Sequence, residues 1–575
     1  MPRRRRRKPP PQKRIAAQGS SPPKKGELLR HPWIRSDGAA AVGLTLLAWA
    51  HRLFFLHSNR DATWPFTIFY QGDAKTFFLH ARVLLSGELY DSGIPFHPPG
   101  FPAVLAALHS LLGAGDPGSD VPHLAVKTVL ALVSSGSVGL VYLLARPYVG
   151  RMAALAGALL CTYHFGLLVL AVAPVSEGLY TTLLLAALLL YTRRLRHPLT
   201  APGAEPATGR AAWRPALGLG VLFGLLALLK VESVLLGVLL GALGLGSWLV
   251  RHRRAGTAAF PGLPEATPPG RAEGVAWLLV AVGWWLPVLP WTLRNAERLG
   301  DYNRRMEGRL AEPLPIFVPV TIYGPLNLAL ANHPDADGTF SPAPLTAATG
   351  GDGLDFTRPD HLRYILHGDA LAWGFFRDDP ETFLRRVVRK WALASDAFRL
   401  GFGQWNWPGG LVGERRPVDV FVPDRAPLGW LWPALLLLGG GLAAAAGGGP
   451  RRLACLATVA TGAGFLVIGL FYGYVRHVLL LLPLWAPLMA YGVVRPGALL
   501  VDRLAPEDSG APRRPAGPGT LAGYGILAGS VVLLLWVEGR GVNDARNYVA
   551  SASSTVDGVI LNADDTVRLE VVEPP

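Results

Sequence analysis

The sequence predicts an all-α polytopic membrane protein with about 11 transmembrane helices, interfacial helices in the first outer loop, and a large second outer loop. Three observations carry this. Half of the 575 residues are apolar and only 17% are charged, which excludes the soluble globular class. The apolar residues gather in runs near the roughly 20 residues that a helix needs to cross the hydrocarbon core. The Lys and Arg residues collect in every second connection between those runs, as the positive-inside rule requires.

In order, the runs cover 39–57, 123–145, 152–172, 177–192, 214–230, 231–250, 273–293, 428–449, 453–472, 477–494 and 519–537. Starting inside, the even-numbered connections carry Arg146 and Arg151, then Arg193, Arg194, Arg196, Arg210 and Arg214, then Arg251, Arg253, Arg254 and Arg271. Arg451 and Arg452 follow the eighth run, and Arg495, Arg503, Arg513 and Arg514 follow the tenth. This registration places 58–122 and 294–427 outside, together with the turns at Glu177, Lys230 to Glu232, and Arg476. The 214–250 pair is counted as two spans, with a single kinked helix pair or a re-entrant hairpin as the alternatives. Phe101 to Leu112 is too short to span, so it is expected to lie against the outer leaflet.

The domains follow. Residues 1–38 form a basic, Pro-rich cytoplasmic tail, and 39–495 the transmembrane core. Residues 496–518 are a cytoplasmic loop, 519–538 the last transmembrane helix, and 539–575 an outer tail. The first 38 residues hold twelve Lys and Arg against two acids, so most of the net charge of +15 sits there and the rest is nearly balanced. The tail lacks the interleaved aromatics and folded reading element of a nucleic-acid binder. The first run begins too late, and ends without a small-residue cleavage site, for a cleavable signal. Cys161 and Cys455 both lie in apolar runs, where a thiol is a small hydrophobe.

The residues able to do chemistry gather at one face. Asp73 begins a helical pattern and reads either as an N-cap or as a carboxylate whose pKa is raised at the lipid boundary for general-base work. Glu177 lies at a span end where the apolar pattern gives no reason for an acid. Brought together, Asp73 and Glu177 would either push one pKa up or hold a divalent cation through oxygen ligands. Lys75, Lys230, Arg294 and Arg476 recur at the same level, each a headgroup anchor when taken singly and an anion site when taken together. His97, in the stiff turn His97-Pro98-Pro99-Gly100, is a phosphate or metal contact or a structural one. Tyr323, Asn327 and Asn332 lie in a stretch able to hydrogen-bond sugar hydroxyls or to form Asx turns. Trp405 and Trp407 are interfacial anchors or a stacking platform.

Taken as an ordered set, Gly72-Asp73, Phe96-His-Pro-Pro-Gly-Phe-Pro102, Ser176-Glu177, Leu228-Leu-Lys-Val-Glu232, Pro290-Trp-Thr-Leu-Arg-Asn295, Gly324 to Asn332 and Arg476 to Pro483 resemble the GT-C superfamily of polytopic glycosyltransferases. The resemblance is to the branch of dolichyl-phosphate-mannose protein mannosyltransferases and the bacterial aminoarabinose transferase, and it covers most of 39–495. It implies inverting transfer of a sugar from a polyprenyl-phosphate donor to a lipid, glycan or protein acceptor on the outer face of the plasma membrane. Asp73 would be the base, Glu177 the second acidic position, and Arg294 and Arg476 phosphate contacts. Gly72-Asp73-Ala74 stands where the protein mannosyltransferases carry an Asp-Glu pair.

Two readings of other classes stand beside this one, a lipid-linked sugar flippase and a catalytically inert membrane scaffold. A flippase predicts ionisable residues in mid-span and duplicated halves. Here the ionisable residues gather at one face, and no internal repeat is visible.

Overall fold

The computed structural model describes residues 32–58, 73–87, 90, 94–112, 120–195, 197–254, 271–336, 338, 345, 355–395 and 431–504. All regular structure among them is helical. The first half runs α1 (Pro32–Ser58), α2 (Asp73–Ser86), α3 (Gly100–Leu111), α4 (Asp120–Val149), α5 (Arg151–Tyr163), α6 (Phe165–Val172), α7 (Ser176–Arg194), α8 (Trp213–Leu229) and α9 (Ser233–Arg254). The second half runs α10 (Arg271–Arg305), α11 (Gly324–Asn332), α12 (Pro359–Asp378), α13 (Pro380–Ser395), α14 (Leu431–Ala446), α15 (Gly448–Leu470), α16 (Val475–Leu479) and α17 (Leu482–Leu504).

Among the described residues five helices are long and apolar enough to cross a membrane: α4, α8, α9, α10 and α15. Counting α5 and α6 as one broken span gives six; they meet at a 68° bend, where His164 is extended. Of the other predicted spans, 39–57 and 177–192 are helical in α1 and α7, 431–446 of the run 428–449 is α14, and 477–494 is divided between α16 and α17; none of these is in that group. In α7 the reason is chemical, since Glu177, Arg193, Arg194 and several hydroxyl side chains dilute its leucines. α14 is described over Leu431–Ala446, 16 residues, and the residues immediately before it lie outside the described ones. The run 519–537, both tails, and Trp405 and Trp407 lie outside the described residues. The 214–250 pair resolves into two separate helices, α8 and α9.

The helices form a bundle with a cap. In the bundle, α8 and α10 meet backbone to backbone. A Cβ on Gly220 would come 2.1 Å from the Val280 carbonyl oxygen, and one on Gly283 would come 2.3 Å from that of Leu217. Small residues allow such close approach between membrane helices, where packing rather than the hydrophobic effect drives association. At the end of the bundle away from the cap, Asp37 accepts from Tyr142 at 2.7 Å and pairs with Arg146 at 2.7 Å, fixing α1 on α4.

The cap has its own core, in which Leu299, Leu314, Val318, Ile322, Leu330 and Ile365 are buried together with Ile94 from the first loop. α10 is the strut between the two layers. Its 35 residues run from the bundle into the cap, where Asn295 donates to the carbonyl oxygens of Val318 (2.9 Å) and Val320 (3.3 Å). α3 buries Phe101, Leu105, Ala106 and His109, so one face packs on protein, while Leu111 at its end is exposed.

Candidate functional site

Glu177 stands in the first turn of α7 and is 2% exposed. An ionised side chain at that depth needs a partner, and two come from distant parts of the chain. Lys230, which follows the last residue of α8, places Nζ 3.0 Å from Glu177 Oε1. Arg476 in α16 places Nε 3.7 Å from the same oxygen. Glu232 lies 3.6 Å from Lys230, and the Arg476 guanidinium sits over the Tyr474 ring at 5.3 Å. Burial alone would pull the Lys230 ammonium down, but Glu177 and Glu232 outweigh it and hold its pKa above the ordinary lysine value. Three spacings in sequence thus close into one cluster of two cations around a buried carboxylate.

The first loop is held against this cluster. A Cβ on Gly100 would come 2.7 Å from the Leu228 carbonyl oxygen, so only glycine lets the start of α3 reach the end of α8. The turn before it is gripped by Tyr90, which donates to the Pro98 carbonyl at 3.3 Å. His97 lies between the rings of His80 (4.7 Å) and Tyr323 (6.5 Å). Arg294 closes the other side, donating to the Tyr90 carbonyl at 3.1 Å and lying over the Trp291 ring at 4.6 Å. Asp73 and Lys75 fall in the first turn of α2, the helix that carries His80; their side chains lie outside what the structure describes.

Of the expected sugar contacts, Tyr323 joins this rim beside His97, and Asn327 accepts from the Tyr472 hydroxyl at 3.3 Å. Asn332 does something else. It is fully buried, its amide nitrogen donates to the carbonyls of Leu328 (2.8 Å) and Leu470 (2.7 Å), and its oxygen accepts from Lys390 at 2.9 Å. Its polar atoms are occupied in joining the cap to α15.

The structure therefore brings Glu177, Lys230 and Arg476 into direct contact, and sets His97, Arg294 and Tyr323 around one rim. The sequence reading passed over His80, Tyr90, Trp291, Tyr472 and Tyr474, which supply the aromatic walls. Trp291 and Tyr474 each stand within three residues of a flagged arginine, which is the signal that would have found them. Among the described residues no group of three or more His, Cys, Asp or Glu could hold a metal ion. Glu177 is a poor ligand in any case, because the two cations on its carboxylate oppose a divalent ion.

No family model matches the chain, and no curated protein matches it. Two similar solved structures are the Archaeoglobus fulgidus oligosaccharyltransferase in the apo form, 14% identical with a TM-score of 0.42, and the archaeal oligosaccharyltransferase AglB from Archaeoglobus fulgidus in complex with an inhibitory peptide and a dolichol-phosphate, 15% identical with a TM-score of 0.37. Each match covers 88% of this chain and 55% of the other, so the chain spans about half the length of the structures it resembles. A likeness of this size fixes neither fold nor chemistry, which rest on the residues themselves.

Proposed function

We propose that the chain is a membrane glycosyltransferase that moves a sugar, with inversion, from a polyprenyl-phosphate donor to an acceptor hydroxyl at the cap side of the membrane. The single observation supporting it is the buried Glu177 carboxylate holding Lys230 and Arg476 together where the bundle meets the cap. Cations fixed in advance at a water-poor rim favour an anionic leaving group over neutral substrates. The multi-pass topology, with the N-terminus in the cytoplasm and the cap outside the plasma membrane, belongs to the same reading and follows from the alternation of basic connections.

In this reading Asp73 takes the proton of the acceptor hydroxyl, and the oxygen attacks the anomeric carbon. The bond from that carbon to the phosphate oxygen breaks, and its electron pair stays on the lipid phosphate. Lys230 and Arg476 meet the charge that develops there. Glu177 acts as a positioning residue, since a carboxylate between two cations is a weak base. Arg294 extends the cationic rim toward the first loop, Lys75 is a further candidate for donor contact from α2, and His97, Tyr323 and Asn327 border the space for sugar and acceptor.

Asp73→Asn in native membranes is expected to lower transfer from a radiolabelled polyprenyl-phosphate sugar by about 10²-fold or more, the usual size of general-base action. Undiminished turnover would remove Asp73 from the role. Donor crossing sealed vesicles with no sugar transferred would replace the transferase reading with a flippase.

A further inference from the structure

α13 is built inside out. Its buried stripe is Arg386, Lys390 and Ala394, at 7%, 0% and 0% exposure. The Arg386 guanidinium donates to the carbonyl oxygens of Asn332 (2.9 Å), Pro334 (2.7 Å) and Ala336 (2.8 Å), which gives the chain leaving α11 its donors. Lys390 donates to Asn332 and, at 3.2 Å, to the Gly469 carbonyl. On the opposite side Leu384 and Val388 are each 56% exposed and Trp391 is 39% exposed. A helix on a water-soluble domain does the reverse.

The exposed side is ordered as well. Leu384, Val388 and Trp391 follow one line along the helix at i, i+4 and i+7, and exposed Glu381, Arg385 and Arg389 follow a parallel line beside it. An apolar line with a charged border is the pattern of a helix lying in the plane of a membrane, its apolar side among acyl chains and its arginines reaching up to headgroups. The neighbouring element selects lipid as the occupant. Trp391 Nε1 donates to the Phe465 carbonyl at 2.7 Å, near the end of α15, and Leu466 and Leu470 on that membrane-crossing helix are themselves exposed. The apolar line of α13 thus continues the lipid-facing surface of α15.

We propose that α13 lies at the boundary between headgroups and acyl chains in the leaflet at the Leu470 end of α15, with Leu384, Val388 and Trp391 in lipid. This seat also bears on the rim. A Cβ on Gly473 would come 2.5 Å from the Lys390 carbonyl oxygen, so the turn leading into Arg476 rests directly on α13 and takes its height from a helix set by the bilayer.

The test uses the full chain in lipid nanodiscs, in a Cys161→Ala, Cys455→Ala background, with a nitroxide attached at Leu384→Cys, Val388→Cys or Glu381→Cys. Oxygen partitions into acyl chains and a nickel chelate stays in water. The ratio of oxygen to nickel accessibility is expected to be several-fold higher at 384 and 388 than at 381. Equal ratios at all three positions would put the helix in water and overturn the proposal. Exclusion of both reagents at 384 and 388 would overturn it in favour of a protein partner or a second copy. All three positions are exposed, so the labels leave the fold intact.

Discussion

Two deeply placed lysines sit on either side of the turn that carries Arg476, and they are held in opposite ways. Lys230 faces acids, Glu177 at 3.0 Å and Glu232 at 3.6 Å. Lys390 is more deeply buried and donates to neutral groups, the Asn332 side chain and the Gly469 carbonyl. Carboxylates hold the first ammonium above its ordinary pKa. Burial, and then the neighbouring Arg386, push the second down to about 7. Under the proposed function the difference separates two jobs. A cation meant to meet a phosphate has to stay charged at every working pH, whereas one that ties a cap to a bundle can donate hydrogen bonds whether charged or neutral.

The largest expected effect lies on the acid-paired side. Glu177→Gln leaves Lys230 and Arg476 beside each other with their shared counter-charge gone, and breaking a buried pair in this way costs about 3–5 kcal/mol. A lowered unfolding midpoint in detergent, with loss of transfer, is the expected outcome. The double variant Glu177→Gln, Lys230→Met should recover much of the stability while transfer stays lost. Single and double variants of equal stability would show that the cluster is not the charge-compensated unit the distances describe.

A smaller effect, of definite sign, belongs to Lys390. Its folded pKa is lowered from 10.5 to about 7. Below about 7 the folded and unfolded chains both hold the proton, and this group adds no slope. Between about 7 and 10.5 the unfolded chain keeps a proton that the folded one has released, so stability rises with pH, by up to about 1.4 kcal/mol per unit. Lys390→Met should remove that rise. Unfolding free energies of the two proteins, compared from pH 6.5 to about 10, check it: parallel curves would mean that the ammonium stays charged, as Lys230 does.

The contrast also marks how far the sequence could be read. Glu177, Lys230 and Arg476 stood out because each interrupts an apolar run at its end, where a charge is costly enough to need a reason. Their meeting is not among the arrangements the sequence suggests, which set Glu177 beside Asp73 and the cations around an anion, because nothing in the spacing says which oxygen faces which nitrogen. Lys390 and Arg386 gave no such signal. In 380–395 they sit among Arg385 and Arg389 with nothing in the sequence to set them apart, whereas the carbonyls of Asn332, Pro334 and Ala336 draw Arg386 inward, and the Asn332 side chain and the Gly469 carbonyl draw Lys390. Asn332 reads in the sequence as a sugar contact or an Asx turn for the same reason, since an Asn in a turn-rich stretch does not reveal that a lysine from a distant helix will occupy it. The expected 11 spans rest on hydropathy runs and on the alternation of basic connections; α7 shows what neither weighs, a leucine-rich helix diluted by hydroxyls and charges.

The smallest expected effect tests whether the Lys230 side of the comparison extends to Arg294. This guanidinium lies over Trp291 at 4.6 Å and donates to the Tyr90 carbonyl at 3.1 Å, so part of what it does is hold the first loop on α10. Arg294→Lys keeps the charge and gives up the planar stacking and the fork of donors. A loss of about 1 kcal/mol is expected, read as a roughly fivefold rise in KM for the lipid-linked donor with kcat nearly unchanged. Arg294→Met removes the charge as well. If the guanidinium meets phosphate as the transition state forms, this second variant alone lowers kcat; if both variants raise KM equally and leave kcat untouched, Arg294 is an anchor for the loop, and the cations that serve the leaving group are Lys230 and Arg476.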